Sequence, residues 1–129
     1  MNAYASAEYT CDTCSFSVWR PIASLGVSYL GLYDDARFPG RAVLVLGRHA
    51  ESLEQLGHDE ANAFFSDLRL SGTAIRRALN ADRINYALLG NIEPHLHWHL
   101  IPRTVRDLSI TPGPRPVKWL RFVTATLAS

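Results

Sequence analysis

The sequence predicts an α+β fold, an antiparallel sheet carrying one packed helix, with elements in the order β, β, α, β, β. Three observations carry that prediction. Residues 41–47 (RAVLVLG) form a short, strongly apolar run with two valines. Between Ala61 and Leu79, apolar or small residues recur in steps of three and four. From His95 to Leu100, histidine alternates strictly with apolar residues. The first and third patterns suit strands, one buried on both faces and one two-faced, and the second suits an amphipathic helix.

Taken in order, residues 26–33 (GVSYLGLY) are rich in β-formers and predict a strand that ends at Asp34-Asp35. Phe38-Pro39-Gly40 is a turn signal. The strand over 41–47 follows closely enough to pair antiparallel with the first. The helix presents Ala61, Phe64, Leu68, Ser71, Gly72, Ile75 and Leu79 as one stripe. Asp59 and Glu60 suit its positive N-terminus, and Arg76-Arg77 suit its last turns. Gly72 costs helix stability, which implies close packing on the sheet. Asn80-Ala81-Asp82 ends the helix. Residues 83–89 (RINYALL) predict a third strand, Gly90 to Pro94 a turn, and His95 to Pro102 a fourth strand. Thr111 to Pro116 is an extended, helix-hostile loop, and 116–128 is a terminal segment whose form the sequence leaves open between a short helix and an arm.

At 129 residues the chain favours one domain. Hydrophobic residues make up 47% and charged residues 19%, a globular composition. A formal charge of +1 leaves no footprint for duplex DNA or an anionic membrane, so an anionic ligand must be held by local groups. The first ten residues have neither a basic start nor an apolar stretch, so no secretory signal is expected. No apolar run approaches the ~18 residues of a membrane span. A cytoplasmic protein is the expectation.

Two residue groups point to chemistry. The only cysteines, Cys11 and Cys14, stand as Cys-Asp-Thr-Cys, a spacing that fits half a zinc site, a redox pair or an incidental pair. Three of the five histidines fall at 95, 97 and 99. On a strand all three point to one side, while Leu96, Trp98 and Leu100 point to the core. Each imidazole near pH 7 is a possible donor, acceptor or metal ligand. A strand-borne metal site of the cupin or amidohydrolase kind would need further carboxylate or histidine ligands, and no such downstream glutamate series is present.

Residues 94–103 (PHLHWHLIPR) resemble the signature of the histidine triad (HIT) family, His-φ-His-φ-His-φ-φ with φ apolar, followed by Pro-Arg. Upstream, Phe38-Pro39-Gly40, the apolar run 42–46 and Arg48-His49 resemble the family's turn, strand and basic-His ending, and Leu89-Gly90-Asn91 resembles a bacterial branch. The resemblance spans roughly residues 11–103, leaving a Pro-rich tail from 111 to 129. It implies a five-stranded antiparallel sheet with a packed helix, and two subunits joined into a continuous sheet as a homodimer.

By the same resemblance, the activity is hydrolysis or transfer of a nucleotide at its α-phosphate, as in the diadenosine polyphosphate hydrolases and nucleoside phosphoramidases. His97 is the implied nucleophile, and His99 bonds the phosphate or leaving group, or is structural. The zinc-containing bacterial members imply one structural zinc per chain held by Cys11, Cys14, His49 and His95; no organic cofactor, nucleic acid or membrane partner is implied. The nucleotide is expected to meet Asp34 (or Asp35) at its ribose, Leu32 and Tyr33 at its base and Asn91 at a phosphate. The alternative for one of Leu32 and Tyr33 is a place in the core, and asparagine is an ordinary turn former. Two departures stand out. Arg41 replaces a histidine found in many members, and a Gly-Gln-Ser/Thr segment is shortened to Gly90-Asn91-Ile92-Glu93-Pro94. The distantly related galactose-1-phosphate uridylyltransferases differ in carrying His-Pro-His. A binding or interaction protein that keeps the fold and zinc with little turnover is the alternative.

Overall fold

The computed structural model describes residues 8–33 and 40–104. Asp34, Asp35, Phe38, Pro39 and the segment 111–129 lie outside them. The elements are β1 (Arg20–Ser24), β2 (Ser28–Leu32), β3 (Ala42–Leu46), a 3-10 turn (Leu53–Gln55), α1 (His58–Leu79), β4 (Arg83–Ala87) and β5 (His97–Arg103). The strands form one five-stranded sheet in the order β1-β2-β3-β5-β4, and every neighbouring pair is antiparallel. Between them, β3 and β5 thus form the centre of the histidine-bearing half.

β1 is the strand that residue patterning does not reveal; only the family resemblance implied a fifth. It contains Pro21 and an irregularity between Pro21 and Ala23, and both features suit the sheet edge it occupies. The expected strands over 26–33 and 83–89 are shorter in the structure. Gly26 and Val27 leave the first because their backbone N–H groups donate to the Asp67 carboxylate of α1, at 3.1 and 2.8 Å, and the Ser28 hydroxyl joins them at 2.7 Å. A buried carboxylate with three donors thereby pins the β1–β2 turn to the helix. Leu88 and Leu89 leave the second because the pairing of β4 with β5 ends at Ala87 and His99.

The expected last strand, 95–102, runs instead from His97 to Arg103. His95 and Leu96 precede it but keep the ladder direction: Leu46 N donates to Leu96 O, and Leu96 N donates to Ala50 O. The row of histidines therefore extends past the strand's formal start.

Helix α1 buries Phe64, Leu68, Ser71, Gly72 and Ile75 from the expected stripe, together with Asp67 and Ala74. Its end is set by Asn80 in the left-handed region, φ 51° and ψ 44°, a conformation asparagine tolerates. A Cβ at Gly72 would lie 2.0 Å from the Tyr86 hydroxyl of β4, which is the close approach this glycine permits. Against the helix pack Leu30, Leu32, Ala42, Leu44, Leu46, Leu96 and Leu100, with Trp98 partly buried beside them. Each large apolar side chain removed from water here contributes about 1.5–3 kcal/mol. The opposite face of the sheet carries a smaller cluster of Val18, Val43 and Val45, flanked by Tyr9, Phe16 and Tyr29.

Candidate functional site

The histidines occupy that second face. Register pairs Val43 with His99 and Val45 with His97 across β3 and β5, and the two-residue period of a strand carries both imidazoles to the face opposite α1. The segment before β1 covers His95 and His97. Phe16 meets the His95 and His97 rings edge-on at 5.6 and 4.9 Å, and Tyr9 stacks on Tyr29 while its edge faces His95. His95, His97 and His99 are 1%, 6% and 5% exposed, so the hydrogen bonds that each ring makes define its state.

Their partners differ. His95 Nε2 donates to the Leu46 carbonyl at 2.8 Å, and its Nδ1 faces Cys14 Sγ at 3.4 Å. His97 Nδ1 bonds the His95 carbonyl, an oxygen that can only accept, so the ring proton sits on Nδ1 and Nε2 keeps its lone pair. His99 Nδ1 receives the Arg41 guanidinium at 3.0 Å. Burial pushes the His97 imidazolium below the ordinary range, opposed by its bond to His95. Burial, then the charges of Arg41 and His97, hold His99 down to about 4. Both rings are neutral near pH 7.

Cys11, Cys14, His49 and His95 converge from three parts of the chain, with one ligand atom from each all within 4.8 Å of one another. Cys11 Sγ lies 3.6 Å from His49 Nδ1 and Cys14 Sγ lies 3.4 Å from His95 Nδ1. Tetrahedral zinc with bonds of about 2.3 Å to sulfur and 2.0–2.1 Å to nitrogen separates such atoms by about 3.5 Å, so the four residues fit the ion. Both imidazoles turn Nδ1 inward. Their Nε2 atoms are occupied outside the cluster, His95 by Leu46 O and His49 by Glu51, whose carboxylate is 3.5 Å away. Burial opposes ionisation of Cys11, but backbone N–H bonds of Cys14 and Thr13, then Cys14 and His49, pull its thiol down to about 5. Burial, with Cys11 close by, pushes Cys14 up. The backbone N–H groups around Cys11 thus favour its thiolate, the form in which a cysteine binds metal.

Among the other candidate residues, Tyr33 adjoins His99, with ring centroids 5.2 Å apart. Leu32 belongs to the helix-side core, one of the two places open to it from sequence. Asn91 is exposed in the turn between β4 and β5. Asp34, and Asp35 with it, lies outside the described residues. His58 begins α1 at the surface, beside Asn62. A cavity of about 340 Å³ reaches His97 and His95 and is walled by Leu53, Leu88, Leu89 and Gly90. Phe16, Glu51 and the Leu46 carbonyl are parts of this arrangement that sequence reasoning missed. Nothing in the local pattern distinguishes Phe16 from a core aromatic, and a backbone acceptor leaves no trace in side-chain identity.

Comparisons with known proteins agree with this architecture. A histidine triad protein from Sinorhizobium meliloti aligns with a TM-score of 0.66 at 25% identity, over 84% of this chain and 87% of that one. A zinc-bound histidine triad family protein from Mycobacterium smegmatis aligns at 0.70 and 20% identity, over 84% and 83%. The diadenosine triphosphate hydrolase of Plasmodium falciparum aligns at 0.68 and 14% identity, over 99% and 87%. No curated protein matches. The family model of the HIT domain matches residues 26–105, most of the chain, and the protein belongs to the HIT domain family.

Proposed function

We propose that this protein hydrolyses or transfers nucleotides at the α-phosphorus through a nucleotidyl-His97 intermediate. The observation that carries the proposal is the bond from His97 Nδ1 to the His95 carbonyl. It leaves a neutral ring with its lone pair on Nε2, the form an imidazole nucleophile requires. Nε2 attacks the α-phosphorus, a P–N bond to histidine forms, and the P–O or P–N bond to the leaving group breaks. Water then attacks the same phosphorus, the bond to His97 breaks and nucleoside monophosphate departs; one water proton stays on the new phosphate hydroxyl and the other balances the proton taken up by the leaving group. Splitting one displacement into two is the benefit of the covalent step.

His99 lies beside the nucleophile, ring centroids 4.9 Å apart, and serves as the phosphate or leaving-group partner. The cavity beside His97 provides room for part of the nucleotide, with Tyr33, Asn91, Asp34 and Leu32 as the nucleotide-side candidates. Leu32 has the weakest support, being in the core. Cys11, Cys14, His49 and His95 hold one structural zinc whose closed shell leaves no position for a reactive water. The zinc-bound relative from Mycobacterium smegmatis supports that part of the proposal. The family's two-fold pairing is carried over as a homodimer, which light scattering on the purified protein tests. Among the described residues, no helix is long and apolar enough to cross a membrane.

Purified wild type and His97→Ala are incubated with adenosine phosphoramidate and diadenosine polyphosphates, and nucleoside monophosphate release is followed. Release by the wild type should fall by at least ~10³-fold in the variant, since the covalent route is lost. The faster substrate names the branch. Absence of turnover in both, with nucleotide still bound, replaces this proposal by the binding-protein alternative.

A further inference from the structure

The row of histidines ends at Arg41, a residue the covalent step does not use. It immediately precedes β3, on the side of the sheet that carries Val43 and His99. Its Nη2 donates to His99 Nδ1 at 3.0 Å, and its guanidinium carbon lies 4.4 Å from the centroid of the Tyr33 ring. That ring meets His99 edge-on at 5.2 Å. Three side chains, from the end of β2, the start of β3 and the middle of β5, thus close on one another. A histidine in place of Arg41 could face His99 with either a donor or an acceptor. Arginine has donors only and does not lose its proton, so the nitrogen it touches must carry the lone pair.

We propose that Arg41 is a positioning residue that locks His99 in its Nε2–H tautomer, so that the row presents one lone pair, from His97, and one hydrogen-bond donor, from His99, side by side. The two adjacent rings are protonated on opposite nitrogens because each is fixed through Nδ1 by a partner of opposite character: the His95 carbonyl accepts from His97, and the Arg41 guanidinium donates to His99. Tyr33 covers the guanidinium and limits its swing, through a cation–π contact. A bound phosphate then meets a nucleophile and a donor already set in complementary states, with no proton to redistribute first. That use of the pair rests on the nucleotide reading above; the tautomer itself does not.

The test is long-range ¹H–¹⁵N correlation NMR on the full chain with ¹⁵N-labelled histidine, near pH 7. In the wild type, His99 should show an unprotonated Nδ1 and a protonated Nε2, and His97 the reverse. Arg41→Ala should lose the single-tautomer pattern at His99 while His97 keeps its own. Arg41→Lys, which retains a donor-only cation, should hold the Nε2–H form. A wild-type His99 protonated on Nδ1 overturns the proposal without any variant, and so does a His99 pattern in Arg41→Ala identical to that of the wild type. No substrate enters the measurement, so its failure is distinct from a failure of turnover. A chain that releases nucleoside monophosphate but shows the wrong tautomer refutes the role of Arg41 alone. A locked tautomer in a chain without turnover refutes the hydrolase alone.

Discussion

The two faces of the sheet are covered by different means. On one, Leu30, Leu44, Leu46 and Leu100 pack against Phe64, Leu68 and Ile75 of a continuous helix, and the cover is held by apolar area. On the other, Val43, Val45 and Tyr29 form a small apolar patch beside the three imidazoles, beneath a short segment carrying Tyr9, Cys11, Cys14 and Phe16. That segment adds a small apolar contact, with Val18, Phe16 and Tyr9 against Val43, Val45 and Tyr29. It is further attached through the contacts of Cys11 with His49 and Cys14 with His95. A face that carries three histidines has less room for apolar area, and its cover combines a small apolar cluster with polar contacts.

The sharpest way to break this comparison is to cut the ties. Cys11→Ser, Cys14→Ser or strong chelation should lower Tm by more than about 10 °C and free the aromatic cover, because metal binding to a folded cluster is folding free energy. Differential scanning calorimetry with metal analysis checks it. A chelated protein that melts at the wild-type temperature would show that both faces are held by packing alone. Phe64→Ala addresses the other face. Removing this 1% exposed ring should cost about 3–5 kcal/mol in urea denaturation while leaving bound zinc per chain unchanged.

Acid should distinguish the faces next. His99 has its folded-state pKa lowered to about 4, against about 6.5 when unfolded. Its contribution to stability is fully present above pH 6.5 and declines as pH falls through that window toward 4, because the unfolded chain binds the proton first. His99→Gln should flatten the urea midpoint across that interval, whereas a variant of the helix face should shift the curve without changing its slope. The smallest effect is expected at Gly72. Gly72→Ala gains up to about 1 kcal/mol of helix propensity but presses on the hydroxyl end of Tyr86, a half-exposed side chain that must shift to make room. The substitution should be near neutral alone and stabilising by up to about 1 kcal/mol in a Tyr86→Ala background, a coupling a double-mutant cycle reads directly.

These contrasts explain which parts were legible in the residues. The helix face was: its stripe, its charged ends and its Asn80 terminus all follow from local periodicity and propensity. Gly72 predicted a close approach, though not that Tyr86 makes it. β1 escaped because an edge strand interrupted by Pro21 and an irregular register lacks a two-residue signature. The Asp67 anchor escaped because its three donors come from about forty residues away, and a single aspartate on a helix reads as a solvated charge.

By itself the sequence determined that His97 and His99 share a face, since strand geometry allows nothing else, and that Leu96 and Leu100 face the core. Motif resemblance added the family and grouped Cys11, Cys14, His49 and His95 as a ligand set. Only the tertiary structure decided what each imidazole does with its two nitrogens. His95 uses one for Leu46 and turns the other to Cys14, His97 keeps its lone pair on Nε2 because Nδ1–H donates to a carbonyl, and His99 accepts from Arg41. The physical reason is that residue type fixes how many donors and acceptors a side chain owns. Which of them is used depends on backbone oxygens and side chains brought alongside from distant parts of the chain.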